Sequence, residues 1–188
     1  MTLIVNAISY RFTAFAEYDD LFTTSISKHG TAPPAEERYR QERNLFGFFS
    51  NGFSTFESFF YAAFAAAALI QPTRFPIGTP QQQRNITAGS TVAEYRRTFT
   101  NASVVQALED LTKDPSYLQL KEIRNILSHR SAPGRTIHVA FGDEPAPDQW
   151  KLANIVLDKN TTSTRRGRAV QVLASAMDEF CRFTETNF

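Results

Sequence analysis

Apolar residues recur every three or four positions through most of this chain, the spacing that lays one stripe along a helix. Between residues 8 and 28 the stripe is Ile8, Phe12, Phe15, Phe22 and Ile26, which predicts a first helix. "KHGTAPP" ends it with Gly30 and the Pro33–Pro34 pair. The next stretch opens charged, "AEERYRQERN", with Glu36–Arg40 and Arg38–Glu42 at i,i+4 spacing, the pattern of a solvated helix face. It then turns apolar. Phe49, Phe53, Phe56, Phe60 and Phe64 form a stripe that reads as core, Asn51–Gly52 is a candidate kink, and Pro72 is a stop. Residues 71–90 show no period and read as a long loop that wraps the surface or flanks a site.

Shorter helices are expected near residues 91–99 and 103–112. Asp114–Pro115 has the form of an N-cap followed by proline at the first helical position. The helix it opens runs through Tyr117, Leu120, Ile123 and Leu127 to about Arg130, where "SAPG" stops it. "TIHVAF" suits a short strand and "DEPAPDQ" a loop, while "QWKLANIVLD" fits helix and strand equally. The last helix reads from "NTTSTRRGRAVQVLASAMDEFCRF", with a Ser/Thr cap and apolar positions Val170, Leu173, Ala174, Met177 and Phe180. There is no internal repeat and no second core. The pattern predicts one all-α domain over residues 1–188, a bundle of four or five main helices with a short strand or extended segment late in the chain.

Composition narrows the function classes. The chain of 188 residues, 17 of them Phe, can bury a sizeable core in one domain. A formal net charge of +1 gives no global basic field for nucleic acid, so any such site must be a local patch. The single cysteine, Cys181, excludes an intrachain disulfide framework and a cysteine-based zinc site, and points to a reducing, cytoplasmic setting. "MTLIVNAISY" lacks the basic n-region of a signal peptide. "FFYAAFAAAALI" is shorter than the roughly 20 residues that span a bilayer, so it reads as a buried core helix and no membrane role is expected. His29 and His138 lack a second ligand at metal spacing, and no Walker loop, dinucleotide fingerprint or G-x-S-x-G turn is present. No metal or cofactor is expected.

The chemistry concentrates in "RNILSH", residues 124–129. On a helix, Arg124 and His129 lie about 140° apart and about 7–8 Å along the axis. They share no narrow stripe, but both can flank a groove at the helix end, with Ile123, Ile126 and Leu127 anchoring the other side. An imidazole in a last helical turn is favoured in its protonated form and exchanges protons near neutral pH. An arginine beside it can hold a phosphate oxygen pair. That pairing suits metal-free cleavage of RNA, in which the 2′-OH attacks its own phosphate while a base takes the proton and a cation holds the developing charge. The same two residues also suit a plain solvated helix end.

"EIRNILSHRSAPGR" resembles the signature of the HEPN superfamily, α-helical domains carrying Arg, four to six residues, then His. The polar Asn125 directly after the arginine fits that signature. So does the upstream Phe-rich helix with its acidic residue, "SNGFSTFESFFYAAFA". The resemblance is specific over residues 122–135 and extends over most of the chain only as helix order. It implies a metal-independent endoribonuclease in which Arg124 binds the scissile phosphate, His129 is general acid or base, and Asn125 orients the pair. It also implies a homodimer in which two copies line one cleft, a stress or defence setting, and a partner inhibitor protein. Other members have lost catalysis and bind RNA, nucleotides or proteins.

Three further expectations concern supporting residues. Glu57 has Phe53, Phe60, Tyr61 and Phe64 as helical neighbours, so its carboxylate must either find a partner or look out to water. The Arg124 guanidinium is the candidate partner. Arg165, Arg166 and Arg168 fall at the start of the last helix, where cations oppose the helix dipole. Helix stability does not explain them, and they are candidates for contacting phosphates. Arg130 and Arg135, next to the Arg–His pair in sequence, are candidates for guiding an RNA backbone.

Overall fold

The computed structural model describes residues 2–129, 132–137 and 148–187. Its helices are α1 (Thr2–His29), α2 (Ala35–Ile70), α3 (Pro80–Arg84), α4 (Ala88–Thr98), α5 (Ser103–Lys113), α6 (Pro115–His129) and α7 (Thr161–Asn187). Three short strands lie between α6 and α7: β1 (Gly134–Thr136), β2 (Gln149–Leu152) and β3 (Ile155–Val156). They form an antiparallel sheet in the order β1-β2-β3, with Arg135 opposite Trp150. The described chain is mostly helical, as the periodicity predicts.

α2 is the axis of the molecule. Phe48, Phe49, Phe53, Phe56, Phe59 and Phe60 are all buried on it, more faces than a single stripe provides, because α1, α4, α6 and α7 pack around it. The expected kink at Asn51–Gly52 is absent: α2 runs unbroken from Ala35 to Ile70. Asn51 donates its amide to the Gly47 carbonyl at 2.8 Å, and Thr55 donates to the Asn51 carbonyl at 2.8 Å, so both side chains bond along the helix. Gly52 and Gly47 serve the α1–α2 contact instead. A β-carbon at Gly52 would stand 2.6 Å from Phe15 Cε2, and one at Gly47 would stand 2.5 Å from Tyr18 Cζ. The missing side chains let two aromatic rings of α1 lie against the α2 backbone. By length and composition, α2 is the one helix among the described residues able to cross a membrane. Within its most apolar stretch 61% of residues are buried in the fold, as in a core helix.

Residues 71–90 are more ordered than their lack of period suggests. Phe75 is fully buried, with its ring 5.0 Å from Phe64 and 5.4 Å from Tyr95. A capping box opens α3, where Thr79 Oγ1 accepts from Gln82 N–H and Gln82 Oε1 accepts from Thr79 N–H. Thr87 and Ser90 repeat the device at α4. Tyr95 then ties α4 to α2 by donating its hydroxyl to the Ala63 carbonyl at 2.7 Å.

α6 begins as the Asp-Pro pair dictates. Asp114 Oδ1 accepts from Ser116 N–H at 2.7 Å, and the Asp114 carbonyl accepts the first helical bond, from Leu118. The last helix is placed correctly but rotated. Its buried positions are Ala169, Leu173, Ala176 and Phe183, while Val170, Ala174 and Met177, expected in the core, are exposed. A polar tether fixes the rotation. Arg166 Nε lies 2.9 Å from the buried Asp19 of α1, so the stripe must share that face. "QWKLANIVLD" resolves as the β2–β3 hairpin, turning at Ala153 with φ 51°. Of "TIHVAF", Thr136 closes β1, and residues from His138 onward lie outside the described part.

Candidate functional site

α6 positions the motif and α2 supplies its floor. Tyr117 and Arg124 are seven residues apart, two turns on one face, and that face meets α2. Tyr117 is buried among Phe53, Phe56 and Phe60, with ring centroids 5.6–6.1 Å away. Two turns on, Arg124 emerges at the rim. Its guanidinium carbon sits 4.5 Å from the centroid of the Phe53 ring, and Nη2 lies 3.6 Å from Glu57 Oε1. The side chain of Arg124 is 27% exposed and that of Glu57 52% exposed. Both alternatives for Glu57 therefore hold at once: it faces water and it pairs with Arg124.

The physical result is a guanidinium fixed on two sides and open on the rest. Phe53 holds one face of the plane by a cation–π contact. Glu57 neutralises one edge at a distance too long for a strong hydrogen bond. Among the described residues its five N–H donors meet no partner beyond Glu57. The Tyr117 hydroxyl reports on the same charges: burial raises its pKa, the Glu57 carboxylate adds to that, and Arg124 opposes it. Phe53 and Tyr117 are parts of the site that the sequence presented only as core. The signal was there for Phe53, which stands four residues before Glu57, so any cation reaching Glu57 across helices passes over its ring.

His129 occupies the last residue of α6 and is exposed, with no hydrogen bond or ion pair among the described residues. No contact joins it to Arg124, as expected of residues about 140° apart on a helix. Asn125 is half-buried, and no hydrogen bond ties it to either. Within one chain, then, the structure brings Arg124, Glu57 and Phe53 together and leaves His129 and Asn125 beside them, uncoupled.

The other arginines divide sharply. Arg135, expected to guide an RNA backbone, is spent on the fold. Its side chain is 8% exposed, its guanidinium carbon lies 3.6 Å over the Trp150 ring, and it donates to the Thr31 carbonyl and pairs with Glu42 at 3.5 Å. Burial lowers its pKa, and Glu42 opposes that. Arg166 is likewise engaged, by Asp19 and by Asp20 at 3.3 Å. Arg165 donates to Gln119 Oε1 at 2.9 Å and to the Thr161 carbonyl at 2.6 Å. Arg168 is exposed with no partner among the described residues. Arg130 lies outside the described residues.

A search of the chain against protein-family models, curated proteins and solved structures finds no match, so the reading of this site rests on its own geometry and on the motif.

Proposed function

We propose that this chain is a HEPN-type, metal-independent endoribonuclease, in which Arg124 holds the scissile phosphate and His129 acts as general acid or base. The observation that supports it is the state of Arg124: a partly exposed guanidinium braced by Phe53 and Glu57, on the helix that also carries an exposed His129 with no partner among the described residues. A brace of this kind keeps the cation aimed while leaving hydrogen-bonding capacity for a phosphate. Binding of the developing charge by Arg124 and proton transfer by His129 are the two tasks the transesterification needs. Because the two side chains diverge on one helix, the reading includes a homodimer that sets the motif helices of two copies against one cleft. Asn125, half-buried between them, then orients the pair.

A second reading rests on the missing contact between Arg124 and His129: a HEPN-like domain that binds RNA, a nucleotide or a protein without cutting. One experiment separates the two. Mixed-sequence RNA is incubated with wild type, Arg124→Ala and His129→Ala in the presence of EDTA, with circular dichroism confirming each fold. Cleavage by wild type that both variants lose supports the enzyme. Binding without cleavage by all three supports the second reading. Equal cleavage by wild type and His129→Ala refutes the acid–base role.

A further inference from the structure

Arg165 is only partly used by the fold, through Gln119 and the Thr161 carbonyl, and Arg168 is used neither by the fold among the described residues nor by the Arg124–His129 site. Among the three arginines at the start of α7, Arg166 faces two carboxylates. The other two have no ion pair among the described residues; Asp158 acts on Arg165 only from a distance. Both line one cavity of about 210 Å³ between the first turns of α6 and α7. Pro115, Ser116, Gln119 and Thr164 complete the wall, and no carboxylate is part of it.

We propose that this cavity is a binding site for a phosphate dianion, either inorganic phosphate or the terminal monoester group of a mononucleotide. Arg165 is preorganised for it. Nε and Nη1 are fixed by Gln119 and the Thr161 carbonyl, which leaves Nη2 uncommitted. Arg168 supplies a second, unpaired guanidinium on the same wall, three residues along α7. The hydroxyls of Ser116 and Thr164 make no hydrogen bond among the described residues and can donate to the same group. Burial lowers the Arg165 pKa, Asp158 opposes this, and Arg168 adds to it. Two cations held together in a partly dry wall repel each other, and a dianion between them relieves that repulsion. The volume is below the roughly 300–1,000 Å³ of sites for drug-sized ligands, yet has room for a phosphate group with part of what carries it. Two carboxylates lie outside the wall: Asp114 accepts from Ser116 N–H, and Asp158, which acts on Arg165 from a distance, accepts from Asn160 N–H and the Thr161 hydroxyl. The site shares no residue with the proposed nuclease centre: Gln119, its lining residue nearest to Arg124 along α6, lies five residues before it, about 7.5 Å along the axis and about 140° round the helix.

The test is calorimetric titration at constant ionic strength with inorganic phosphate, AMP and adenosine. Wild type, Arg168→Ala and, as a surface control, Arg97→Ala are compared. Arg168 is exposed, so its removal leaves the fold intact. Phosphate and AMP are expected to bind wild type and Arg97→Ala saturably, Arg168→Ala about ten-fold more weakly, and adenosine not at all. AMP tighter than phosphate identifies a nucleotide as the occupant; equal affinities identify free phosphate. The same binding by His129→Ala keeps this result independent of RNA cleavage. No saturable binding of either anion, or equal binding by wild type and Arg168→Ala, overturns the proposal.

Discussion

Gly52→Ala places one methyl group between the two longest-packed helices, and two opposing terms decide its effect. Alanine is a better helix former than glycine by about 0.5–1 kcal/mol, and Gly52 sits in the interior of an unbroken helix. Against that, the new β-carbon would stand 2.6 Å from Phe15 Cε2 and 2.9 Å from its Cδ2. A normal contact needs roughly 3.5–4 Å, so the ring must retreat by about an ångström. It has little room to do so: Phe15 is fully buried, with Phe48 4.4 Å away on one side and Phe12 6.3 Å away on the other. Overpacking of this kind costs about 1–3 kcal/mol. The middle of the difference between the two terms is a loss of about 1 kcal/mol, read as a fall in Tm of about 2–4 °C for a chain of this size. Thermal melts by circular dichroism measure it, and Phe15→Leu in the same background is expected to recover part of the loss. Gly47→Ala is the internal comparison. Its neighbour Tyr18 is only half-buried and can swing outward, so the cost there is smaller. A Gly52→Ala variant as stable as wild type, or more so, refutes the argument that close α1–α2 approach explains this glycine.

Two further outcomes are expected. Arg166→Ala leaves the buried Asp19 carboxylate with only its 3.3 Å bond from Thr23, so stability should fall by about 1–3 kcal/mol in urea denaturation while RNA affinity is unchanged; the reverse pattern assigns Arg166 to the RNA surface. Burial raises the pKa of Tyr95, and burial together with Glu57 raises that of Tyr117, so in the folded state both stay protonated above the ordinary value near 10. Their contribution is complete below about pH 10 and lost as pH rises through the folded values, because the unfolded chain gives up protons that the folded chain retains. Stability should therefore fall above pH 10 by up to about 1.4 kcal/mol per pH unit per tyrosine, and Tyr95→Phe should shallow that slope; an unchanged slope contradicts the burial of the Tyr95 hydroxyl.

Much of the helix order was legible because it rests on local chemistry. Asp114–Pro115 fixes the start of α6 through bonds between neighbouring residues, so it reads directly from the chain. What misled were positions where a tertiary partner decides. Asn51–Gly52 has the composition of a break, yet Phe15 arrives from another helix to fill the space the glycine leaves. Val170 and Met177 fit a helical stripe as well as Ala169 and Ala176 do. The choice between the two rotations comes from the Arg166–Asp19 bond, made by residues 147 positions apart, 166 less 19. Residues 71–90 show no period because one long-range contact, Phe75 in the core, and two capping boxes hold them instead of an amphipathic face.

The same distinction explains the arginines. Charge and sequence proximity to the motif recommended Arg135 as an RNA contact, but proximity along a chain says nothing about the direction of a side chain after a turn. Residues 134–136 form a strand, and alternation along it sends Arg135 inward, opposite Trp150, where stacking and Glu42 hold it. Arg124 keeps an open edge for a related reason. It continues the stripe of Tyr117 to the rim of the packed core, so its side chain is only partly buried. A cation in that position is stabilised by Phe53 and Glu57 without being saturated by them. The partly satisfied guanidinium is what a phosphate-binding role requires, and a core arginine such as Arg135 does not have it. His129 meets a complementary condition, since an acid–base group must be reachable and free to exchange its proton. One α6 offers the two groups on diverging faces, so a single copy holds both parts of the reaction without their alignment. On the proposed ribonuclease reading, a second α6 set across a twofold axis is what would bring a His129 to the first copy's Arg124, so that reading calls for a dimer.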